Sequence, residues 1–305
     1  MTLYQRFRRK KRALHEQWRR FRRVLLIPLL QSRKFNENGE NFIVSLTSYG
    51  KRLANTAPYA IITLLRQKVK PDKVILWVGH QDRENIPKIL YCLTDKGLEI
   101  RFCEDVKSYT KLIPALEAFP DACIITADDD IFYPKNWFGQ LLIEHRKNPK
   151  KIICHRVHGI ITDENHNPLA YNEWDKCIEP NSAHKPESYF PTGVGGILYP
   201  PKCFHKDIAN RELFLKLAPN ADDIWFWAMA LINGEYFDNE TPYVIIEKGS
   251  FNKLRMIDWW QHVAHSLQSV NVSENRNDGQ LKAIIDYYPQ IGEKLKEIEP
   301  AKTKT

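Results

Sequence analysis

The sequence contains few of the features that mark secreted, zinc-binding or membrane-spanning proteins. Its six cysteines are scattered between positions 92 and 203 and form no C-x-x-C pair, so neither a disulfide framework nor a structural zinc site is indicated. The apolar run of residues 24–30 is interrupted by Pro28 and is far shorter than the roughly 18 residues that cross a bilayer. No secretory signal pattern is evident. We therefore expect a protein of the reducing cytoplasm.

Acidic residues are almost absent from the first 34 positions. This segment holds twelve Lys or Arg and one acid, Glu16, a net charge of +11, so the chain after it carries −3 of the total of +8. Large apolar residues recur in the same segment at spacings of three, four and seven: Leu3, Phe7, Leu14, Trp18, Phe21, Leu25 and Leu29. The pattern predicts a basic amphipathic helix.

Such a helix, with aromatic residues in its apolar stripe, is typical of proteins that lie on an anionic membrane surface. A nucleic-acid-binding arm and a disordered basic tail are the alternatives. No zinc-finger spacing and no RNA-binding motif supports the first of these. We predict a peripheral position on the cytoplasmic face of the plasma membrane and no nucleic-acid partner.

Short apolar runs alternate with helical patterns along most of the chain. Strands are predicted at residues 42–47, 73–78, 98–102, 122–126, 151–155 and 241–246, and helices near 60–65, 89–97, 112–119 and 222–231. This alternation predicts an α/β fold, with a mostly parallel sheet and helices on both faces. Residues 163–190 are polar and predict a long binding loop or lid. The predicted domains are an extension at 1–40, one catalytic domain at 41–290 and a solvated tail at 291–305.

Three consecutive carboxylates, Asp128, Asp129 and Asp130, follow one of the apolar strands. Like charges repel, so such a run favours a site with a neutralising cation. Alternate side chains of a strand share a face, so we expect Asp128 and Asp130 to point the same way. Two carboxylates at the carboxyl end of a strand suit a divalent ion that also holds a diphosphate. A solvated acidic turn before the helix that starts near Pro134 is the structural alternative.

A second acidic pair, Asp222 and Asp223, begins the predicted helix 222–231. Two adjacent carboxylates disfavour double ionisation and raise one pKa, which suits a general base. Asp223 is the candidate base, with Asp222 as its neighbour. The alternative is that the pair only caps the helix, which Pro219 and Asn220 just before it allow. The two roles are compatible.

With these motifs in place, the chain resembles bacterial glycosyltransferases of the GT-A fold over roughly residues 41–280. It is similar to the inverting family 2 enzymes of capsule and lipopolysaccharide synthesis. Four segments carry the resemblance: the first strand and turn at 44–52, the D-x-D motif at 128–130 followed by Pro134, the glycine-containing segment 192–196, and the acidic pair in 221–225. The pair departs from the family pattern, because Asp222 stands where the family usually has Glu.

The resemblance implies an enzyme that moves a sugar from a nucleotide-diphosphate donor, most simply a UDP-sugar, to a glycan or lipid-linked acceptor. It implies Mn²⁺ or Mg²⁺ as cofactor. The implied donor-binding residues are Thr47, Tyr49, Arg52, Lys111, Asp128, Asp129, Gly195 and Gly196; the metal ligands are Asp128, Asp130 and His262; the catalytic residues are Asp223 and Asp222. Several have ordinary structural alternatives: a turn tyrosine for Tyr49, solvated cations for Arg52 and Lys111, and a tight turn for the glycines.

Other enzyme classes fit the sequence less well. A sugar nucleotidyltransferase shares the sheet but needs a Gly-rich loop after the first strand, and Ser48 to Arg52 contains a single glycine. It is the second choice among enzymes. A haloacid-dehalogenase-like phosphatase needs D-x-[TV] after its nucleophile, which Asp128 to Ile131 does not provide. A nucleic-acid-binding protein would explain the basic extension but not the acidic sheet edge.

Overall fold

The computed structural model describes residues 3–30, 41–246, 254–257 and 276–300. The strands are β1 (Phe42–Thr47), β2 (Lys73–Gly79), β3 (Leu98–Cys103), β4 (Cys123–Thr126), β5 (Ile131–Phe132), β6 (Ile152–Cys154), β7 (Val157–Gly159), β8 (Tyr189–Pro191), β9 (Ile197–Tyr199), β10 (Tyr243–Ile245) and β11 (Arg255–Met256). The helices are α1 (Leu3–Val24), α2 (Arg52–Asn55), α3 (Ala57–Leu65), α4 (Lys88–Thr94), α5 (Ile113–Ala118), α6 (Trp137–Lys147), α7 (Arg211–Leu217), α8 (Asp222–Leu231), α9 (Arg276–Tyr287) and α10 (Pro289–Leu295).

Seven of these strands form one sheet in the order β10-β6-β9-β4-β1-β2-β3. Neighbours pair in parallel except at β9, which runs antiparallel to both β4 and β6. The predicted α/β fold with a mostly parallel sheet is therefore confirmed. From β1 the chain moves outward through β2 and β3, and it then returns to place β4 on the other side of β1. The carboxyl ends of β1 and β4 thus form a topological switch point, where open α/β sheets bind ligands.

Helices cover both faces of this sheet, which explains why the inner strands β1, β2 and β4 are mostly apolar runs. Along β1, Ile43 packs on one face in a cluster with α5, α7 and α8. Phe42, Val44 and Leu46 pack on the other face with α3, α4 and α6. Pro58 lies in the first turn of α3, where its missing N–H has no helical partner to lose.

The acidic triplet does not continue a strand. Strand β4 ends at Thr126, and Asp128, Asp129 and Asp130 lie in the turn between β4 and the two-residue strand β5. Strand alternation therefore does not set the directions of these side chains. The expectation that Asp128 and Asp130 share a face for that reason is wrong.

The C-terminal segment packs on the domain further than expected. Ile291 and Leu295 in α10, and Ile298 after it, are buried in the core. Their spacings of four and three residues place them on one helical face. The predicted domain end at residue 290 and the solvated tail from 291 are therefore wrong as far as Ile298. Residues 301–305 lie outside the described ranges.

Most of residues 163–190 form the long irregular segment that was predicted, with short 3₁₀ turns at Tyr171–Glu173 and Pro186–Ser188. Trp174 anchors this segment. Its side chain is 2% exposed, and its indole Nε1 donates a hydrogen bond to the Leu169 carbonyl at 2.9 Å. The segment is therefore held against the core rather than extended into solvent.

The predicted N-terminal helix is present as α1. Its side chains reach the domain through cation–π contacts, with Arg20 5.4 Å from the Tyr59 ring centroid and Arg23 5.2 Å from that of Phe132. Beyond the helix, Leu30 enters the core and Ile27 packs against it. No helix in the described part of the chain combines the length and the apolarity needed to cross a membrane.

Candidate active site

A cavity of about 670 Å³ opens at the carboxyl edge of the sheet. Segments that follow β1, β4 and β6 border it, together with the start of α8. The segment before β9 joins them, because β9 is antiparallel and its amino end lies at this edge. The predicted site residues that line the cavity are Thr47, Tyr49, Arg52, Lys111, Asp128, Asp129, Asp130, Asp222 and Asp223. The two acidic clusters predicted from the sequence therefore share one cavity.

Arg52 neutralises two members of the acidic triplet. Its Nε lies 3.1 and 3.0 Å from the two carboxylate oxygens of Asp129, and its Nη2 donates to Asp129 and, at 2.9 Å, to Asp130. The Ser48 hydroxyl donates to Asp129 Oδ2 at 2.6 Å. Asp129 and Asp130 are 4% and 5% exposed, so these charge-assisted hydrogen bonds offset the cost of burying two carboxylates. Both oxygens of Asp129 are thereby used to join the β1 and β4 loops.

Asp128 is in a different state. Its Oδ2 is buried and accepts no hydrogen bond from the described residues. Burial raises the pKa of Asp128 to about 7; Lys111 opposes this increase, whereas Asp130 and Asp223 add to it. A buried carboxylate oxygen without a partner is unfavourable, and a bound cation would remove the penalty.

The side chains around Asp128 fit one type of divalent-ion site and not another. Within the residues that the structure describes, no three His, Cys, Asp or Glu side chains converge as a complete metal site requires. Mg²⁺, however, is commonly held by one or two carboxylates together with substrate phosphates and water. The unpartnered oxygen of Asp128 beside Asp130 fits that incomplete type of site. His262, the predicted third ligand, lies outside the described residues.

Lys111 lies beside β1 and reaches the second acidic pair. The Ser45 hydroxyl donates to the Lys111 carbonyl at 2.6 Å and fixes the turn Lys107–Lys111 against the strand. Lys111 Nζ lies 2.8 Å from Asp222 Oδ2, and only 12% and 11% of the two side chains are exposed. Burial alone would lower the pKa of Lys111. The neighbouring carboxylates Asp222, Asp223 and Asp128 have the larger combined effect, so the pKa lies above its ordinary value. The lysine therefore stays charged inside the cavity wall.

Asp223 lies in the first turn of α8. The backbone N–H of Gly193 donates to its Oδ1 at 3.1 Å. Burial raises the pKa of Asp223 to about 6, with a further increase from Asp222 and a decrease from Lys111. The N-cap position of α8 is Ala221, and no side chain caps the helix. The alternative that the acidic pair serves as an N-cap is therefore wrong.

Gly195 and Gly196 do not line the cavity, contrary to their predicted contact with the donor. The Trp137 indole Nε1 donates to the Gly195 carbonyl at 2.6 Å. Gly196 has a φ of +92°, and a Cβ there would lie 2.5 Å from Trp137 Cζ2, so the tight-turn alternative holds. Gly193 lines the cavity instead, and a Cβ on it would lie 2.8 Å from Lys111 Nζ.

Two further predicted residues border the cavity mouth. Tyr49 is 56% exposed, and Arg52 lies 5.9 Å from its ring centroid, so one ring face is available to a planar ligand. The Thr47 hydroxyl donates to the Trp77 carbonyl at 3.0 Å and joins β1 to β2. Its place in the cavity wall is therefore fixed by the sheet.

The sequence-based search missed a basic part of the wall, formed by Arg156, His158 and Lys176. His155 and His158 lie at, or just after, the end of the predicted strand 151–155. Only His158 lines the cavity, whereas His155 stacks on Trp137 with ring centroids 6.1 Å apart. Their position in the sequence could have predicted this part of the wall, because Arg156 and His158 follow a predicted parallel strand, at the same edge of the sheet as the acidic triplet.

No protein-family model matches the chain, and no curated protein sequence matches it. Among solved structures, one similar fold is 4-diphosphocytidyl-2C-methyl-D-erythritol synthase from Anaerococcus prevotii DSM 20548, with 15% identity, a TM-score of 0.45, and coverage of 77% of this chain and 100% of that chain. Another is CMP:2-keto-3-deoxy-manno-octonic acid synthetase complexed with CTP, with 10% identity, a TM-score of 0.42 and the same coverage. Neither of these two proteins is named as a glycosyltransferase.

Proposed function

We propose that the protein is a metal-dependent glycosyltransferase that uses a nucleotide-sugar donor and a glycan or lipid-linked acceptor. The observation that carries the proposal is that one cavity holds two carboxylate groups in different environments. Asp128, in a compact acidic turn, has an oxygen that accepts no hydrogen bond from any described residue, whereas Asp223 lies beside Lys111 and accepts from the Gly193 N–H. Glycosyl transfer needs both functions, neutralisation of a leaving diphosphate and a base for the attacking hydroxyl.

The residues divide the work as follows. Asp128 and Asp130 would hold Mn²⁺ or Mg²⁺, which as a Lewis acid neutralises the departing diphosphate when bound. Lys111, charged and fixed against β1, adds positive charge on the same wall. Tyr49 offers an exposed ring face to the base of the nucleotide. Asp223, with its pKa raised to about 6, is ionised at neutral pH and accepts the proton of the acceptor hydroxyl.

Calorimetric titration of UDP with Mn²⁺ or with EDTA tests the donor site. UDP should bind about tenfold or more tightly with Mn²⁺, and Asp128→Asn should lose that gain because an oxygen ligand is removed. Asp105→Asn is the matched control, since Asp105 also lines the cavity but accepts from the Lys107 backbone N–H. Equal UDP affinity with and without Mn²⁺, or equal losses in the two variants, would contradict the proposal. A screen of nucleotide-sugar hydrolysis then identifies the donor.

A sugar nucleotidyltransferase is the second candidate. The observation that favours it is the group of cations Lys111, Arg156 and Lys176 along the cavity, since a nucleoside triphosphate carries more negative charge than a nucleotide sugar. The names of the two similar structures agree with this class, whereas the single glycine in residues 48–52 does not. The products distinguish the candidates. Pyrophosphate release from a nucleoside triphosphate and a sugar phosphate would favour the second, and nucleoside diphosphate release from a nucleotide sugar the first.

In this proposal the enzyme works on the cytoplasmic surface of an anionic membrane. Its support is the unusual orientation of α1, which directs arginines towards Tyr59 and Phe132. Five large apolar residues of the helix and the turn after it are 50% to 73% exposed: Leu14, Trp18, Phe21, Leu25 and Leu29. A surface helix ordinarily buries its apolar stripe and exposes its charges. An outward stripe flanked by arginines suits a bilayer interface.

Vesicle co-sedimentation tests this surface. The full chain should pellet with phosphatidylserine-containing vesicles, and Trp18→Ser with Phe21→Ser should remove the part of binding that persists at high salt, because that part depends on apolar burial. Tyr91→Ser, which alters an exposed ring on α4, is the control. If the double variant pelleted as well as the control, or the full chain did not pellet, the membrane assignment would fail.

A further inference from the structure

One part of the cavity wall carries hydrogen-bond donors that none of the described residues satisfies. Arg156 follows β6, and its carbonyl accepts from the Thr192 N–H at 3.1 Å. Its Nε is buried and has no hydrogen-bond partner among the described residues. Its Nη2 lies 3.3 Å from His158 Nε2. An arginine presents five N–H donors in a planar fork and has no acceptor, so these groups require an acceptor from elsewhere.

The ring of His158 does not supply that acceptor. Its Nδ1 accepts a hydrogen bond from the backbone N–H of Cys177 at 3.0 Å. In a neutral imidazole the other nitrogen then carries the proton. Burial, with Arg156 and Lys176, lowers the pKa of His158 to about 3, so the neutral ring is the relevant form. The N–H of His158 Nε2 and the Nη2 of Arg156 are therefore two donors that face each other.

The geometry points to an oxyanion subsite, formed by Arg156 and His158 with Lys176 at its rim, that binds a phosphate or carboxylate group of the acceptor substrate. An oxygen of such a group accepts from both facing donors, and the guanidinium charge strengthens these hydrogen bonds. Within the described residues no carboxylate forms an ion pair with Arg156. The charge of this arginine is therefore available to a ligand.

The assignment to the acceptor rests on the proposed function and on the sheet order. Strand β9 separates β6, which delivers Arg156, from β4, which delivers the acidic triplet. Asp223 lies near Arg156, which lowers its pKa, and accepts from Gly193 just before β9. A negatively charged group at Arg156 would thus lie on the side of the base away from the metal ligands. Tyr171 and Phe190 beside it line the cavity and suit a sugar ring.

A ³¹P NMR titration of the full chain with inorganic phosphate, without nucleotide or metal, tests the subsite directly. Arg156→Gln should weaken phosphate binding by about tenfold or more, as expected for loss of charge-assisted hydrogen bonds. Lys107→Gln is the matched control, because Lys107 also lines the cavity but donates to Asn220 at 3.0 Å. Arg156→Lys should restore only part of the affinity, since it keeps the charge but loses the fork. Thermal unfolding confirms that each variant is folded.

A second arm distinguishes the source of the anion. If the subsite serves the acceptor, the affinity for phosphate or glucuronate should be the same with saturating UDP and Mn²⁺ as without them. Displacement by UDP would assign the anion to the donor and overturn the inference. So would absence of binding to the wild-type chain, or equal losses in Arg156→Gln and Lys107→Gln. The first arm needs no nucleotide, so a failure of the proposed glycosyl transfer would leave its result interpretable.

Discussion

Replacement of Lys111 by methionine tests the electrostatic core of the site without any assumption about activity. Lys111 and Asp222 form an ion pair at 2.8 Å with only 12% and 11% of their side chains exposed. Methionine keeps much of the side-chain volume but removes the charge. Loss of one partner of a buried pair costs about 3–5 kcal/mol, because the other charge remains buried and uncompensated. At about 2–4 °C per kcal/mol for a domain of this size, Tm should fall by roughly 10 °C.

The loss of stability should depend on pH. Burial raises the pKa of Asp223 to about 6 and Lys111 lowers it, so Lys111→Met raises this pKa further. A carboxyl with a higher pKa in the folded than in the unfolded chain binds more protons when folded. Its folded state loses stability as pH rises from the unfolded pKa, about 4, to the folded pKa. In the wild type that loss ends near pH 6, whereas in the variant it continues above. The difference in the free energy of unfolding between the wild type and Lys111→Met should therefore grow from about pH 6 to 8.

Urea-induced unfolding at several pH values measures this effect. Lys107→Met is the control, because Lys107 lines the same cavity and donates to the Asn220 side chain at 3.0 Å in an exposed contact. It should change the free energy of unfolding by less than about 0.5 kcal/mol. Addition of Asp222→Asn to Lys111→Met should recover part of the loss, since the residual charge is removed. Similar unfolding of Lys111→Met and Lys107→Met, or a difference independent of pH, would refute the reasoning.

Two further outcomes follow from the site. Asp223→Asn should lose about 10²-fold or more in turnover while UDP affinity is retained. In the wild type, kcat/KM should rise with pH to a plateau above about pH 6, because the pKa of Asp223 is raised to about 6. Turnover near the wild-type level in the variant would exclude Asp223 as the base. Gly196→Ala should destabilise the fold by about 1–3 kcal/mol through strain and contact with Trp137. Gly50→Ala should cost less, since its φ is also positive but its Cβ would meet nothing within 4 Å, and equal costs would contradict the role of Trp137.

The fold was predictable because most of the sheet is made of apolar strands with helices between them. Strands β1 to β4 are four to seven residues long and have polar turns on either side; β1, β2 and β4 are mostly apolar, and β3 alternates apolar residues with Glu99 and Arg101. The three-residue strand β9 was not recognised as a strand, and its antiparallel direction depends on pairing with β4 and β6 rather than on its own sequence. Short strands carry little periodicity, so their position in the sheet is a tertiary property.

The acidic residues of the site were predictable, whereas their partners were not. Runs such as Asp128 to Asp130 are visible in the sequence, but the pairing of Arg52 with Asp129 joins residues 77 positions apart. The same limit applies to Arg156, whose importance depends on the missing acceptor and on the orientation of the His158 ring. Sequence patterns report residue type and local spacing, and they do not report which long side chains meet across a cavity.

The acidic triplet was first interpreted from repulsion, on the argument that three adjacent carboxylates require a cation. Side chains of the protein supply part of the neutralising positive charge. Arg52 binds Asp129 and Asp130, and Lys111 lowers the pKa of Asp128 against the effect of burial. Repulsion alone is therefore a weak argument for a metal. The stronger one is the buried Oδ2 of Asp128, which accepts no hydrogen bond from any described residue. It locates the expected cation at one atom, so Asp128→Asn discriminates between a metal site and a self-neutralised acidic turn better than any change at Asp129.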